Sequence, residues 1–334
     1  MRFFVTGGAG FMGSNFVRYI LRRYGDARVL VYDKLTYAGR LENLRDVMDD
    51  SRLVFVYGDI VDEEQLEDAL REFEPDVVVN FAAETHVDRS INEPAPFLRT
   101  NVEGVFKLLE AARRLDVPRL VHISTDEVYG DRWGLPPASE ETCFRPSSPY
   151  SASKASGDLL AMAYWRTYRV PVMVLRPSNN YGPYQYPEKL IPKTIIRALH
   201  DRPIPVYGDG GQVRDWLYVE DFAEALDTVI RRGSPGEAYN VPGGNEKRNL
   251  DVVRDILRLM GKPETLIRFV EDRPGHDRRY SMTGEKIRSL GWRPRTPWLE
   301  GLRRTIEWYL GNEWWWRPLL GDHFFESDTP WRRG

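Results

Sequence analysis

Tyr150 and Lys154 stand four positions apart, a spacing that puts both on one face of a helix. A free tyrosine titrates near pH 10, too high for a base at neutral pH. A neighbouring ammonium favours the phenolate, which can then take a proton from a hydroxyl. A second group, Thr125-Asp126-Glu127, follows the apolar stretch Arg119-Leu-Val-His-Ile-Ser124, which reads as a strand emptying into a loop. Strand ends of open α/β sheets are where sites are built. Two adjacent carboxyls can act as acid and base when their surroundings push their pKa values apart. Alcohol oxidation uses the Tyr-Lys pair and has no need of the carboxyls. The chain therefore predicts an oxidation coupled to a further proton transfer.

The oxidation needs a partner, and Gly7-Gly-Ala-Gly10-Phe11-Met12-Gly13 offers a place for one. It follows an apolar strand and opens an amphipathic helix, so its backbone N–H groups can meet a pyrophosphate at the positive helix end. Asp33 ends the second strand, where a carboxylate accepts from both ribose hydroxyls and repels a 2′-phosphate. NAD is thus expected over NADP, with Arg40 the only counter-signal. Asp59 would accept from the adenine amine while Ile60 packs beside it, although a turn aspartate gives the same letters. Phe81-Ala82-Ala83 supplies the small side chains needed where backbone passes a cofactor. Lys154 can also hold the nicotinamide ribose.

Apolar stretches at 2–6, 28–33, 53–57, 76–82, 119–124 and 171–177 read as strands. They alternate with helical patterns near 12–24, 62–73, 97–115 and 150–168. That alternation implies a doubly wound parallel sheet covered on both faces, a Rossmann-type α/β fold. Asp62 with Gln65, and Asp221 before Phe-Ala-Glu-Ala, read as helix caps. Beyond about residue 178, Pro and Gly become frequent and helices recur near 220–232, 249–260 and 297–310. The expected organisation is a cofactor domain over 1–178 and a smaller substrate-binding lobe over 179–334. Some segments, about 205–235, should return to the first domain.

Taken together, the glycine loop, Tyr150/Lys154, Arg176-Pro-Ser-Asn-Asn-Tyr-Gly-Pro183 and Arg214-Asp-Trp-Leu-Tyr-Val-Glu-Asp221 resemble the extended short-chain dehydrogenase/reductases. More narrowly the chain is similar to their dTDP-glucose 4,6-dehydratase branch. Ser124-Thr-Asp-Glu-Val-Tyr-Gly130, Ser148-Pro-Tyr-Ser-Ala-Ser-Lys154, Ala83-Glu-Thr-His-Val-Asp-Arg-Ser-Ile91 and Asp272-Arg-Pro-Gly-His-Asp277 carry that likeness. The resemblance covers residue 1 to about 310. It implies that Tyr150 takes the C4 hydroxyl proton of dTDP-glucose and that C4 is oxidised by NAD. Glu127 would then remove the C5 hydrogen, Asp126 would protonate the departing C6 hydroxyl, and C6 would be reduced. For the cofactor it adds Lys34, Leu35, Thr36, Thr100, Ser124 and Asn180. For the nucleotide-sugar it brings in Thr85, Thr125, Asn179, Lys189, Leu190, Pro205, Tyr207, Arg214, Asn249, Arg273, His276 and Tyr280. Arg214 and Arg273 suit a diphosphate as bidentate donors. No metal is implied. A homodimer packing through helices near 97–115 and 150–168 is.

Composition sets the outer limits. The 334 residues carry 47 Lys and Arg against 50 Asp and Glu, a net charge of −3 with no basic excess for nucleic acid. Apolar runs are too short to span a bilayer, and the N-terminus lacks the pattern of a secretory leader. Cys143 is the single cysteine, which excludes an intrachain disulfide and fits a reducing cytoplasm. It reads as a small space-filler or loop residue rather than a nucleophile. Asp131-Arg-Trp-Gly-Leu-Pro-Pro137 and Cys143-Phe-Arg145 depart from the branch beside the site. The tail from Trp314-Trp-Trp316 to Arg333 reads as an aromatic clasp docking the C-terminus, against a membrane-interface belt or a partner surface. Competing functions are a UDP-, CDP- or GDP-sugar 4,6-dehydratase, a nucleotide-sugar 4-epimerase, and a silent NAD- or nucleotide-sensing protein. The epimerase has no use for the Asp-Glu couple.

Overall fold

A computed structural model of the protein describes residues 1–332; Arg333, the end of the tail reading, lies outside them. Seven strands form one parallel sheet: β1 (Arg2–Thr6), β2 (Arg28–Asp33), β3 (Leu53–Tyr57), β4 (Val77–Asn80), β5 (Leu120–Ile123), β6 (Val172–Pro177) and β10 (Ala238–Val241). Their spatial order is β10-β6-β5-β4-β1-β2-β3. Successive side chains of a strand point to opposite faces. Phe3 and Val5 of β1 accordingly join one core with Phe16, Ile20, Phe222 and Leu226, while Phe4 joins the other with Leu66, Leu108 and Ala161. Helices α1 (Phe11–Arg23) and α6 (Val219–Arg232) cover the first face. Helices α2 (Glu63–Phe73), α3 (Val105–Arg114) and α4 (Pro149–Tyr168) cover the second. The strand order reverses between β1 and β4, and the loops leaving those strands diverge to open a crevice.

A third core lies over the C-terminal strand ends. It is built on β7 (Asn179–Tyr181), β9 (Val213–Tyr218) and β11 (Glu246–Arg248), with α5 (Leu190–Leu199), α7 (Asn249–Met260) and α8 (Trp298–Gly311). A parallel pair, β8 (Ile204–Tyr207) and β12 (Ile267–Val270), stands beside it. Trp315 and Trp316 are fully buried in this core, so the tail docks through its aromatic rings. Among the described residues no helix is long and apolar enough to cross a membrane.

Several expectations need adjusting. The helix expected over 97–115 is interrupted: Arg99–Gly104 is a π-helical turn leading into α3. That turn buries Thr100 and Asn101, and Asn101 bonds both the Glu84 backbone and Ser153 Oγ. Asp62 does cap α2, accepting from Gln65 N. Asp221 is no cap: α6 begins at Val219, and the Asp221 carboxylate accepts from the backbone N–H groups of Arg295 and Thr296. Strand β10 and helix α5 carried no distinct signal.

Candidate active site

The first turn after β1 is shaped by what a side chain would strike. Gly7 has φ +65°, and a Cβ there would lie 2.5 Å from Ala82 N. At Gly13 a Cβ would sit 2.4 Å from the Gly7 carbonyl. Asp33 is buried and reaches back to this loop, accepting from Ala9 N and Leu35 N, both at 2.9 Å. Each oxygen keeps a lone pair for a further donor. Lys34 Nζ bridges Asp59 Oδ2 (3.3 Å) and Thr100 Oγ1 (3.2 Å). Arg40, the counter-signal, is occupied elsewhere: it pairs with Glu42 and donates to the Trp315 carbonyl.

Ser148 caps α4 and Pro149 takes its first position, which sets Tyr150 in the first turn and Lys154 one turn on. Thr125 opens the turn Asp126–Tyr129 by accepting from Glu127 N. Burial raises the Asp126 carboxyl well above the usual range, and the neighbouring Glu127 and Asp215 raise it further. Burial also raises Glu127, but Arg273, Arg214 and Lys189 work against it. The two carboxyls are therefore driven apart, with Asp126 the more firmly protonated.

Tyr150 is buried in the cleft. Burial lifts its phenol well above the ordinary range and Glu127 adds to that; only Thr125 opposes it. The Lys154 ammonium donates to the Ile123 carbonyl at 2.6 Å instead of offsetting the shift. Lys154 itself is pushed down to about 8 by burial. Burial therefore opposes the phenolate, and a positive charge beside Tyr150 would favour it.

Two adjoining cavities meet at Thr85, Glu127, Asn179, Asn180, Gln185, Glu188 and Lys189. The first takes in Gly7, Gly10, Phe11, Met12, Gly13, Asp33, Lys34, Thr36, Asp59, Ile60, Phe81, Ala82, Ala83, Thr100, Ser124, Thr125, Asp126, Tyr150, Lys154 and Asn180. Leu35 does not line it: with φ +52° it packs on the core beneath the sheet, and its backbone N–H serves Asp33. The second holds Leu190, Pro205, Tyr207, Arg214, Asn249, Arg273 and His276. Tyr280 lines neither; it lies behind Glu127 with its ring under the Arg214 guanidinium.

Buried polar atoms without partners face both cavities. Ser124 Oγ and Asp126 Oδ2 belong to the first, Asn249 Oδ1 and Arg273 Nε to the second, and Asn180 Oδ1 and Gln185 Oε1 to residues lining both. Buried polar groups are ordinarily satisfied, so these fit polar ligands in both places. With the close-packed glycine loop and Asp33, the first cavity suits a dinucleotide. Sequence reasoning missed Tyr37, Tyr186 and Glu188 in its wall, and Asp88, which accepts from both Arg273 (3.0 Å) and Tyr207 (3.2 Å). Glu188 stands next to Lys189 and was within reach; the tyrosines carried no signal.

Residues 4–305 match the family model described as GDP-mannose 4,6 dehydratase. The chain is 51% identical over 342 residues to dTDP-glucose 4,6-dehydratase of Neisseria meningitidis serogroup B, covering 96% of both chains. It superposes with a TM-score of 0.93 on a Streptomyces venezuelae dTDP-glucose 4,6-dehydratase solved with NAD, at 47% identity over 96% of this chain and 100% of that one. The Thermus thermophilus UDP-glucose 4-epimerase, also solved with NAD, gives 0.86 at 34% identity over 93% and 100%.

Proposed function

The chain belongs to the dTDP-glucose 4,6-dehydratase family, and on that premise we propose that it converts dTDP-glucose to dTDP-4-dehydro-6-deoxy-glucose. The observation that carries the reading is Glu127 where the two cavities join, with Asp126 and Tyr150 beside it in the wall of the first. A hydro-lyase needs all three groups; an epimerase needs only the tyrosine.

Gly7, Gly10 and Gly13 would cradle the NAD pyrophosphate, Asp33 would take the adenosine ribose, and Lys154 the nicotinamide ribose. Bound there, NAD supplies the acceptance of hydrogen from sugar C4 and its return to C6, with the positive charge that Tyr150 lacks. Tyr150 then accepts the C4 hydroxyl proton, and Thr125 holds the oxygen. A ketone at C4 acidifies C5, and Glu127 removes that hydrogen as a carboxylate. Asp126, held protonated by burial, donates to the C6 oxygen as water leaves. Arg214 and Arg273 suit the diphosphate, and Tyr207 would stack on the base.

We also propose a homodimer through the segment 97–115 and α4, which expose Leu98, Phe106, Leu159 and Tyr168. A cytoplasmic location accords with the single cysteine. The test of substrate is incubation with dTDP-glucose, UDP-glucose and GDP-mannose without added NADH. Base-induced absorbance of a 4-keto sugar with dTDP-glucose alone is expected; turnover confined to another nucleotide overturns the choice of handle.

A further inference from the structure

The wall of the cofactor cavity between Lys34 and Gly39 is not held by its own hydrogen bonds alone. It is fastened at three places by the last part of the chain. Trp315 Nε1 donates to Asn43 Oδ1 at 2.7 Å, and Asn43 Nδ2 donates to the carbonyls of Ala9 and Ala38. The Trp315 carbonyl accepts from Arg40 at 3.2 Å. The third fastening runs through Arg89. Tyr37 donates to Glu188 (3.0 Å), Glu188 accepts from Arg89 (2.7 Å), and Arg89 donates to Asp322 (2.7 Å). The Arg89 guanidinium is sandwiched between the rings of Tyr37 (3.8 Å) and Phe324 (4.0 Å). Two of its four contacts thus come from the tail. Glu188 is buried and joins Arg89 to Tyr37, so freeing Arg89 loosens Tyr37 as well.

We propose that Trp315 and Asp322 are positioning residues for the cofactor: the C-terminal segment clamps the 34–43 loop over the dinucleotide and slows its release. The inference rests on the reading of the first cavity as an NAD site. An enzyme that regenerates its cofactor in every turnover gains from such retention, because the cofactor has no reason to leave between cycles.

Trp315→Phe keeps the ring and deletes the N–H to Asn43; Asp322→Asn weakens the hold on Arg89. Trp298→Phe is the control, since Trp298 Nε1 makes an equivalent 2.7 Å bond to Asp255 in the same lobe, remote from the loop. NAD release from each purified holoenzyme is followed by rapid desalting and assay of the retained nucleotide. Trp315→Phe and Asp322→Asn are each expected to release NAD about tenfold faster, the scale of one lost hydrogen bond. Trp298→Phe should match the wild type. Unchanged release in both clamp variants, or equal acceleration in the control, overturns the clamp. A wild-type protein that retains no NAD would instead refute the cofactor reading.

Discussion

The hydroxyl of Tyr280 lies 3.3 Å from Glu127 Oε2, and 2.8 Å from Asp277 Oδ2 on its other side. One phenolic proton faces two carboxylates, so whatever it gives to Asp277 it withholds from Glu127. Arg273, Arg214 and Lys189 favour the charged form of Glu127, while Asp277 and burial oppose it. Tyr280 is thus placed to adjust the strength of the proposed C5 base from behind, without reaching the sugar.

For Tyr280→Phe the sign follows directly. A donor to a carboxylate favours its charged form, so removing the donor raises the Glu127 pKa. The base is then protonated over more of the acid range, and the acid limb of kcat moves to higher pH. KM for the nucleotide-sugar should hold, since Tyr280 lines neither cavity. A raised KM with an unmoved limb would make Tyr280 a substrate contact instead.

Glu127→Gln should separate the two halves of the reaction. C4 oxidation depends on Tyr150 and survives, but nothing removes the C5 hydrogen. Reduced nicotinamide should therefore build up to one equivalent per site, with product formation slowed by about 10²–10⁴-fold, the usual weight of a general base. Normal turnover without that absorbance counts against the role given to Glu127.

Gly13→Ala tests the cradle. The new methyl would press on the Gly7 carbonyl, a backbone atom that cannot swing aside. The loop must shift and NAD binding should weaken by at least about tenfold, the scale of one lost backbone contact. Titration of the cofactor-stripped protein measures this, and an unchanged affinity would mean that the loop is not the pyrophosphate site.

Much of this was legible in the residues because it rests on local rules. The strands of the large sheet through β6 and the helices α1, α2 and α4 follow from apolar runs, glycines and caps within a few positions of each element. Glu127 and Asp126 could be placed at a strand end for the same reason. What escaped depends on distant partners. The π turn at Arg99–Gly104 exists because Asn101 must reach Glu84 and Ser153. Asp221 reads as a cap until Arg295 and Thr296 arrive to claim it. Lys154 turns to the Ile123 carbonyl, an acceptor that the Tyr-x-x-x-Lys spacing cannot reveal. The same holds for Tyr37, which matters only because Glu188, Arg89 and Asp322 meet above it.

The proposed reaction is one oxidation that serves an elimination and is then reversed at a different carbon. Supplying dTDP-glucose with deuterium at C4, without added NADH, tests that directly. A 4-keto-6-deoxy product bearing the label at C6 is expected. A sugar epimerised at C4 with the label still on C4, or label lost to solvent, would contradict it.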